Sequence, residues 1–460
     1  MQKSKIIMQI YKSNAVKGTF ILMAAGLLTR FLGFYYRIFL SARIGAEGMG
    51  LYQMIFPIFG LCMALSVSGI QTAISKFVST APSPTAKSTL SNSECSNHGN
   101  SRSLSALYAG SSISLPLSVI SALILIFLGD TIAIHYLHEP RCGLLLKAVA
   151  LSLPMGALHS CVNGYFLGKR DAVIPGVTQL SDQIVRVVSV FIIFNIYIDK
   201  ISSPDIVSLA LIAIAGHILG EMATLIISII AIAKEHRNTS FSQLETHSLI
   251  KPIATMAYPL TMTRVLLSII HSLEASAIPF FLNKFGLSNS EALSMYGILT
   301  AMAMPFIMFP TIFTNAVAQM LLPTISSAQA SHNKERIYAL TMKTLSISVA
   351  LGLFCTTFFI LTGDSLGITI FQNETAGDFI TILAWLCPFI FASSTIGSIL
   401  NGLGMTKSTF YHNMAGSFVC LCFIVFAIPV YGIKGYLWGL LASELVCAVL
   451  HTIKALRYIK

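Results

Sequence analysis

Long hydrophobic runs follow one another along the whole chain and are separated by short polar segments. A helix needs about 20 apolar residues to cross the hydrocarbon core of a bilayer. A β-barrel would instead show short segments of alternating character. The pattern therefore predicts an all-α polytopic membrane protein with twelve transmembrane helices, at residues 17–41, 50–79, 104–128, 142–167, 173–198, 204–233, 251–283, 289–327, 337–362, 377–403, 408–430 and 434–455.

Composition supports this prediction, because 55% of the residues are hydrophobic and only 10% are charged, against about 25% charged residues in soluble domains. The nine cysteines show no zinc or disulfide spacing. The sequence contains no nucleotide-binding P-loop, HExxH or nucleophile-elbow motif. We therefore expect a protein that is not an enzyme and that needs no cofactor and no metal.

The basic residues are distributed unevenly between the two predicted sides of the membrane. With the N-terminus placed in the cytoplasm, 19 Lys and Arg residues lie on the inner side and 6 on the outer side. This asymmetry follows the positive-inside rule and predicts a multi-pass cell-membrane protein with both termini in the cytoplasm. The net charge of +11 is then a consequence of topology, and no nucleic-acid partner is expected.

The two halves of the chain match at several points in the same order, which predicts a parallel repeat of two six-helix lobes. The predicted N-lobe covers residues 1–233, including a Ser-rich flexible cytoplasmic loop at 79–103. A polar linker at 234–250 leads to the C-lobe at 251–460. The matching positions are Thr29-Arg30 with Thr263-Arg264, Pro57 and Gln71 with Pro305 and Gln319, Asn163-Gly164 with Asn401-Gly402, and Gly216 and Glu221 with Gly439 and Glu444.

Cations within the first and seventh spans are the main functional signal. Arg30 and Arg37 are seven residues apart and so share a helix face, and Arg264 and His271 repeat this spacing. Arg30 and Arg264 each lie about 20 Å into their span, at 1.5 Å rise per residue. Charges at that depth are costly and usually functional, which indicates a central cavity for an anionic ligand. In the alternative interpretation, Arg37 reaches the outer interface and the deeper arginines pair with acids.

Residues 30–39 read RFLGFYYRIF and residues 44–53 read IGAEGMGLYQ, and this stretch resembles the stage V sporulation protein B family. That family belongs to the polysaccharide-transport group of the multidrug/oligosaccharidyl-lipid/polysaccharide flippase superfamily, with the lipid II flippases as relatives. The resemblance implies a V-shaped, MATE-like core of twelve helices that moves undecaprenyl-pyrophosphate-linked saccharides outward. Relatives commonly carry two further C-terminal helices, thought to help seat the lipid tail, whereas this sequence ends at Lys460; either lipid handling differs or the copy is shortened or degraded.

With this resemblance, the four cations become candidate ligands of a pyrophosphate, because the planar guanidinium fork suits phosphate oxygens. The implied partners are the lipid-linked oligosaccharide, membrane lipids, and cell-wall synthesis or sporulation proteins. The energy would come from an ion gradient, the membrane potential or substrate flow.

Other polar residues within the spans carry weaker predictions. Four of them are candidates for either ion coupling or charge pairing, and Asp182 and Arg186 have the four-residue spacing of a helical pair. A further set is predicted to be structural, as hinges or helix bends. The first set is Glu274, Asp182, Arg186 and Glu221, and the second is Asn163, Gly164, Asn401, Gly402, Pro57, Pro259 and Pro305.

Two other functions compete with the flippase. A drug or organic-cation antiporter of the same superfamily would share the fold, but its site should present carboxylates and aromatic rings rather than arginines. A membrane scaffold in a sporulation complex would transport nothing.

Overall fold

The computed structural model describes residues 2–80, 92–198, 205–236, 243–314, 325, 328–329, 331 and 334–459, and these form helices and turns. The predicted loop 79–103, the linker 234–250, the span 289–327 and the repeat position Gln319 lie partly or wholly outside the described residues.

Helices of the first half of the chain are mostly long. They are α1 (Gln2–Met63), a π-helical turn (Ala64–Ser68), α2 (Gly69–Ser79), α3 (Asn92–His135), α4 (Cys142–Ala150), α5 (Ser152–Gly168), α6 (Val173–Ile198) and α7 (Ile206–His236).

In the second half, several spans are assembled from shorter helical pieces. The elements are α8 (Gln243–Phe285), α9 (Asn289–Gly297), a second π-helical turn (Ile298–Ala303), α10 (Met304–Met308), α11 (Lys334–Phe371), α12 (Glu374–Leu383), a 3₁₀ turn (Ala384–Leu386), α13 (Cys387–Gly402), α14 (Thr406–Phe426), α15 (Ile428–Tyr431) and α16 (Ile433–Ile459).

Ten helices among the described residues are long and apolar enough to cross a membrane, or eleven if the bent pair α4 and α5 forms one span. The first of these candidate spans, Ile21–Ser79, has 59 residues, far more than the roughly 20 that one crossing requires. Gly45 interrupts it with φ 68° and ψ −178°, which is not a helical conformation. The prediction of an all-helical, multi-pass membrane protein is confirmed, whereas the count of twelve spans stays a prediction.

Large apolar side chains are exposed along these helices, as they are where a protein surface faces lipid rather than water. Phe127 and Leu361, for example, are 75% and 77% exposed.

The chain divides into two compact units. The first unit is Met1–Tyr36 with Met54–Ser272, and the second is Arg37–Gln53 with Leu273–Lys460. The middle of α1 therefore belongs to the unit that also holds the end of α8 and everything after it. The predicted lobes at 1–233 and 251–460 stay a prediction.

Close backbone contacts at glycines hold each unit together. In the first unit, a Cβ on Gly69 would lie 2.2 Å from the Ala257 carbonyl oxygen, so α2 packs directly against the backbone of α8. In the second unit, a Cβ on Gly297 would lie 2.2 Å from the Ala46 carbonyl oxygen. Such approaches are possible only where no side chain intervenes, which is a common way of packing membrane helices.

Candidate functional site

Arg30 lies on α1 in the first unit, with an exposed side chain. The preceding Thr29 donates its hydroxyl hydrogen to the Ala25 carbonyl oxygen at 3.0 Å. Gln179 on α6 donates to the same hydroxyl at 3.4 Å, and Gln183 lies beside Gly33. The α1 turn that carries Arg30 is thus supported by two amide side chains of α6.

Arg264 lies on α8, also in the first unit, and its side chain is exposed as well. Here Thr263 donates to the Pro259 carbonyl oxygen at 3.0 Å, which repeats the local bond of Thr29. Both arginines therefore follow a threonine whose hydroxyl is already engaged by the backbone of its own helix. The two repeat positions share their local geometry as well as their sequence.

The other two predicted cations occupy different surroundings. His271 is exposed near the end of the first unit, and its neighbour Ser272 is buried and accepts a hydrogen bond from the Tyr136 hydroxyl at 3.0 Å. Arg37 is half-buried and belongs to the second unit, as does Glu274. The structure thus places Arg30, Arg264 and His271 in one unit and Arg37 in the other, and their convergence on one ligand stays a prediction.

A cluster of buried and half-buried polar side chains lies inside the first unit, between α5, α6 and α7. Nη2 of Arg186 donates to both carboxylate oxygens of Asp182, at 2.9 and 2.7 Å. Nδ1 of His159 lies 2.9 Å from Oε2 of Glu221, although the two atoms are not aligned as a hydrogen bond. His217, one turn before Glu221, is buried at 4% exposure.

Gly220 permits close packing of α7 against Asp182, and Gly156 lies in ordinary contact with Glu221. A Cβ on Gly220 would lie 2.4 Å from Oδ1 of Asp182, and a Cβ on Gly156 would lie 3.4 Å from Oε2 of Glu221. α7 therefore touches both α6 and α5 at the level of the carboxylates. The histidine partner of Glu221 was missed in the sequence, because His159 lies 62 positions away and no local spacing connects them.

Asn163 and Asn401, at matching positions of the repeat, make matching contacts. Thr178 donates to Oδ1 of Asn163 at 3.2 Å, and Thr409 donates to Oδ1 of Asn401 at 2.8 Å. In each case the threonine lies on the helix that follows. Each asparagine thus links two consecutive helices, which supports a structural role.

The remaining residues that are predicted to act as hinges or helix bends are glycines and prolines. A Cβ on Gly164 would lie 2.6 Å from the Gln71 carbonyl oxygen, so this glycine permits close packing of α5 on α2, and Gly402 is buried at the end of α13. Pro57 lies inside α1, seven residues before the first π-helical turn, and Pro305 is the second residue of α10, which directly follows the second turn. Pro259 lies within α8.

The helical fold resembles that of solved structures of membrane transporters. The chain is similar to the inward-facing conformation of a multidrug resistance MATE family transporter of the MOP superfamily, with a TM-score of 0.72 and 14% identity over 94% of each chain. A MOP superfamily transporter from Pyrococcus furiosus matches with a TM-score of 0.64 and 14% identity, over 97% of this chain and 96% of that one. At these identities the likeness shows the MATE-like fold alone.

Residues 15–329 match the family described as polysaccharide biosynthesis protein, and the chain belongs to this family. Stage V sporulation protein B of Bacillus subtilis (strain 168) is 24% identical over 450 residues, covering 96% of this chain and 83% of the relative. The lipid II flippase MurJ of the same organism is 24% identical over 429 residues, covering 86% and 74%. The predicted resemblance is confirmed, and the family, the relatives and the fold support a membrane flippase or transporter.

Proposed function

We propose that this protein moves an undecaprenyl-pyrophosphate-linked saccharide, such as lipid II or a related cell-wall or spore-cortex precursor, across the cell membrane by alternating access. Twelve spans in two six-helix lobes that together form a V-shaped core, with both termini in the cytoplasm, would provide the framework. The family and the relative named as a lipid II flippase support this substrate class.

The observation that carries the proposal is the pair of exposed arginines, Arg30 and Arg264, inside long apolar helices of the first unit. A guanidinium at that depth is costly in hydrocarbon, and such residues usually mark a substrate or ion pathway. Its fork of donors fits two phosphate oxygens at once. Arg37 and His271, seven residues further along the same helices, would extend the cationic face toward the second phosphate.

A flipping assay in proteoliposomes tests the proposal, using a labelled polyprenyl-diphosphate-sugar and the variants Arg30→Ala and Arg264→Ala. A hydrogen bond to a charged group contributes about 1.5–3 kcal/mol, so each variant should flip at least tenfold more slowly. Arg102→Ala is the matched control, since Arg102 is also exposed and in the first unit but lies at the start of a span. Wild-type rates in both variants would refute the cationic site.

We further propose that the buried His159–Glu221 pair couples transport to protons. The nitrogens of His159, His217 and Arg186 occupy this cluster, whereas a hard metal cation needs a shell of oxygen ligands. A carboxylate and an imidazole in contact can instead exchange one proton.

Glu221→Gln would remove the proton acceptor while keeping the size of the side chain. We expect flipping by this variant to lose its response to an imposed pH gradient. Glu235→Gln is the control on the same helix, because Glu235 pairs with Lys169 at the helix end, at 2.6 Å. An unchanged response in Glu221→Gln would exclude this pair as the coupling site.

A drug or organic-cation antiporter is the second candidate, favoured by the multidrug transporter fold and by the carboxylates of Asp182 and Glu221. Export of a fluorescent organic cation by the same proteoliposomes, without flipping of the lipid, would support it. A protein that moves neither substrate would fit a membrane scaffold.

A further inference from the structure

A groove of about 660 Å³ lies in the second unit, between the α12–α13 segment and the beginning of α16. Its wall is formed by aliphatic and aromatic side chains, including Phe389 and Leu441, together with Trp385, Trp438 and Lys434. This volume is within the range of about 300–1,000 Å³ that is typical of sites for small organic ligands. The groove therefore has room for one extended apolar chain.

Both tryptophans of the sequence line this groove. Trp385 is 58% exposed and Trp438 is 64% exposed, so their rings form the open rim rather than the packed core. Tryptophan is favoured where hydrocarbon meets the lipid headgroups, because its ring is apolar and its N–H needs a polar partner. The rim thus has the chemistry of a boundary between acyl chains and headgroups.

Lys434 is the one charged residue of the lining. Its side chain makes no hydrogen bond, ion pair or ring contact with another residue in the part of the chain that the structure describes. Trp438 lies one helical turn after Lys434, and Leu441 lies roughly 10 Å from Lys434 along α16. The hydroxyl of the other polar wall residue, Thr381, already donates to Asp364 at 3.1 Å. An occupant would therefore place a negative group at Lys434 and an apolar chain along the wall.

We propose that this groove binds one acyl chain of an anionic phospholipid, with the lipid phosphate at Lys434. The predicted topology puts Lys434 on the outer side, so the lipid would come from the outer leaflet. The site lies within one unit, and none of the cationic residues assigned to the transported substrate lines it.

The two tryptophans allow a direct test, since both border this groove and their fluorescence reports on lipid bound there. Wild-type protein is reconstituted in phosphatidylcholine vesicles that contain a minor fraction of either brominated phosphatidylglycerol or brominated phosphatidylcholine. A lysine near the surface favours an anionic lipid by about fivefold. Half-maximal quenching should therefore need about fivefold less brominated phosphatidylglycerol than brominated phosphatidylcholine.

In the Lys434→Gln variant, the two brominated lipids should quench at nearly equal concentrations. The Lys434→Arg variant should keep the preference for phosphatidylglycerol. Lys284→Gln is the matched control, because Lys284 is another lysine of the second unit on the predicted outer side, 4.7 Å from the Phe280 ring. The fluorescence of Lys284→Gln should be quenched by the two lipids as in the wild type. Variants with only Trp385 or only Trp438 should each retain the preference, because both rings border the groove.

Equal quenching by both lipids in the wild type would overturn the proposal. So would a preference that survives in Lys434→Gln. Relief of quenching by an equimolar polyprenyl diphosphate, but not by unbrominated phosphatidylglycerol, would assign the groove to a polyprenyl chain and would also overturn it. None of these outcomes depends on flipping activity, so failure of this proposal is distinguishable from failure of the proposed function.

Discussion

The contact between α9 and the middle of α1 gives a sharp prediction about stability. In the second unit, a Cβ on Gly297 would lie 2.2 Å from the carbonyl oxygen of Ala46 and 2.5 Å from the backbone nitrogen of Gly50. The reverse contact is equally close, with a Cβ on Gly50 lying 2.2 Å from the carbonyl oxygen of Leu293. All of these neighbours are backbone atoms, so no change of side-chain rotamer can relieve the collision.

Gly297→Ala should therefore destabilise the protein. Carbon atoms pack at about 3.5 Å, so the two helices would have to separate by roughly 1 Å. Overpacking of this kind costs about 1–3 kcal/mol, and a collision with backbone lies at the upper end of that range. The higher helix propensity of alanine stabilises the folded state by about 1 kcal/mol and offsets part of this cost. The expected net loss is about 2 kcal/mol.

Thermal unfolding in detergent can be followed with a thiol-reactive dye, because Cys355, Cys387, Cys420 and Cys447 are buried free thiols of the same unit. The midpoint of labelling should fall in Gly297→Ala. Gly26→Ala is the control, since a Cβ on Gly26 would meet no other atom within 4 Å and the variant should keep or raise the midpoint. A Gly297→Ala midpoint equal to or above that of the wild type would refute the packing argument.

Three further substitutions can be measured with the same dye. Arg186→Ala leaves the carboxylate of Asp182 without its partner, which should cost about 2 kcal/mol, less than for a fully buried pair. Adding Asp182→Ala should restore most of the lost stability. A double variant no more stable than Arg186→Ala would contradict this account. Thr409→Val removes the hydrogen bond to Asn401 and should cost about 1 kcal/mol, whereas an unchanged midpoint would mean that the bond is not needed. Both ring nitrogens of His217 are buried without a hydrogen-bond partner among the described residues, and such burial costs about 1–3 kcal/mol. His217→Phe should therefore raise the unfolding midpoint. A lower midpoint would show that His217 has a polar partner.

The hydrophobic pattern alone predicted the helical, membrane-spanning architecture. A chain in hydrocarbon must satisfy its backbone polar groups internally, so a run of sufficient length can hardly be anything but a helix. Local spacing was equally informative about Asp182 and Arg186, because residues four apart on a helix face each other. The motif between Arg30 and Gln53 was enough to indicate the family.

Tertiary structure decided which distant residues meet. The partnership of His159 with Glu221 depends on how α5 packs against α7, and the placement of Arg37–Gln53 in the second unit depends on the glycine contact with α9. Lys434 and Trp438 are one turn apart on α16, but Trp385 lies 49 positions before Lys434, in the turn that precedes α13, and no local pattern connects it with them. A sequence pattern reports the periodicity of one element, whereas a site built from several elements depends on the packing between them, which is set by close contacts that no local pattern records.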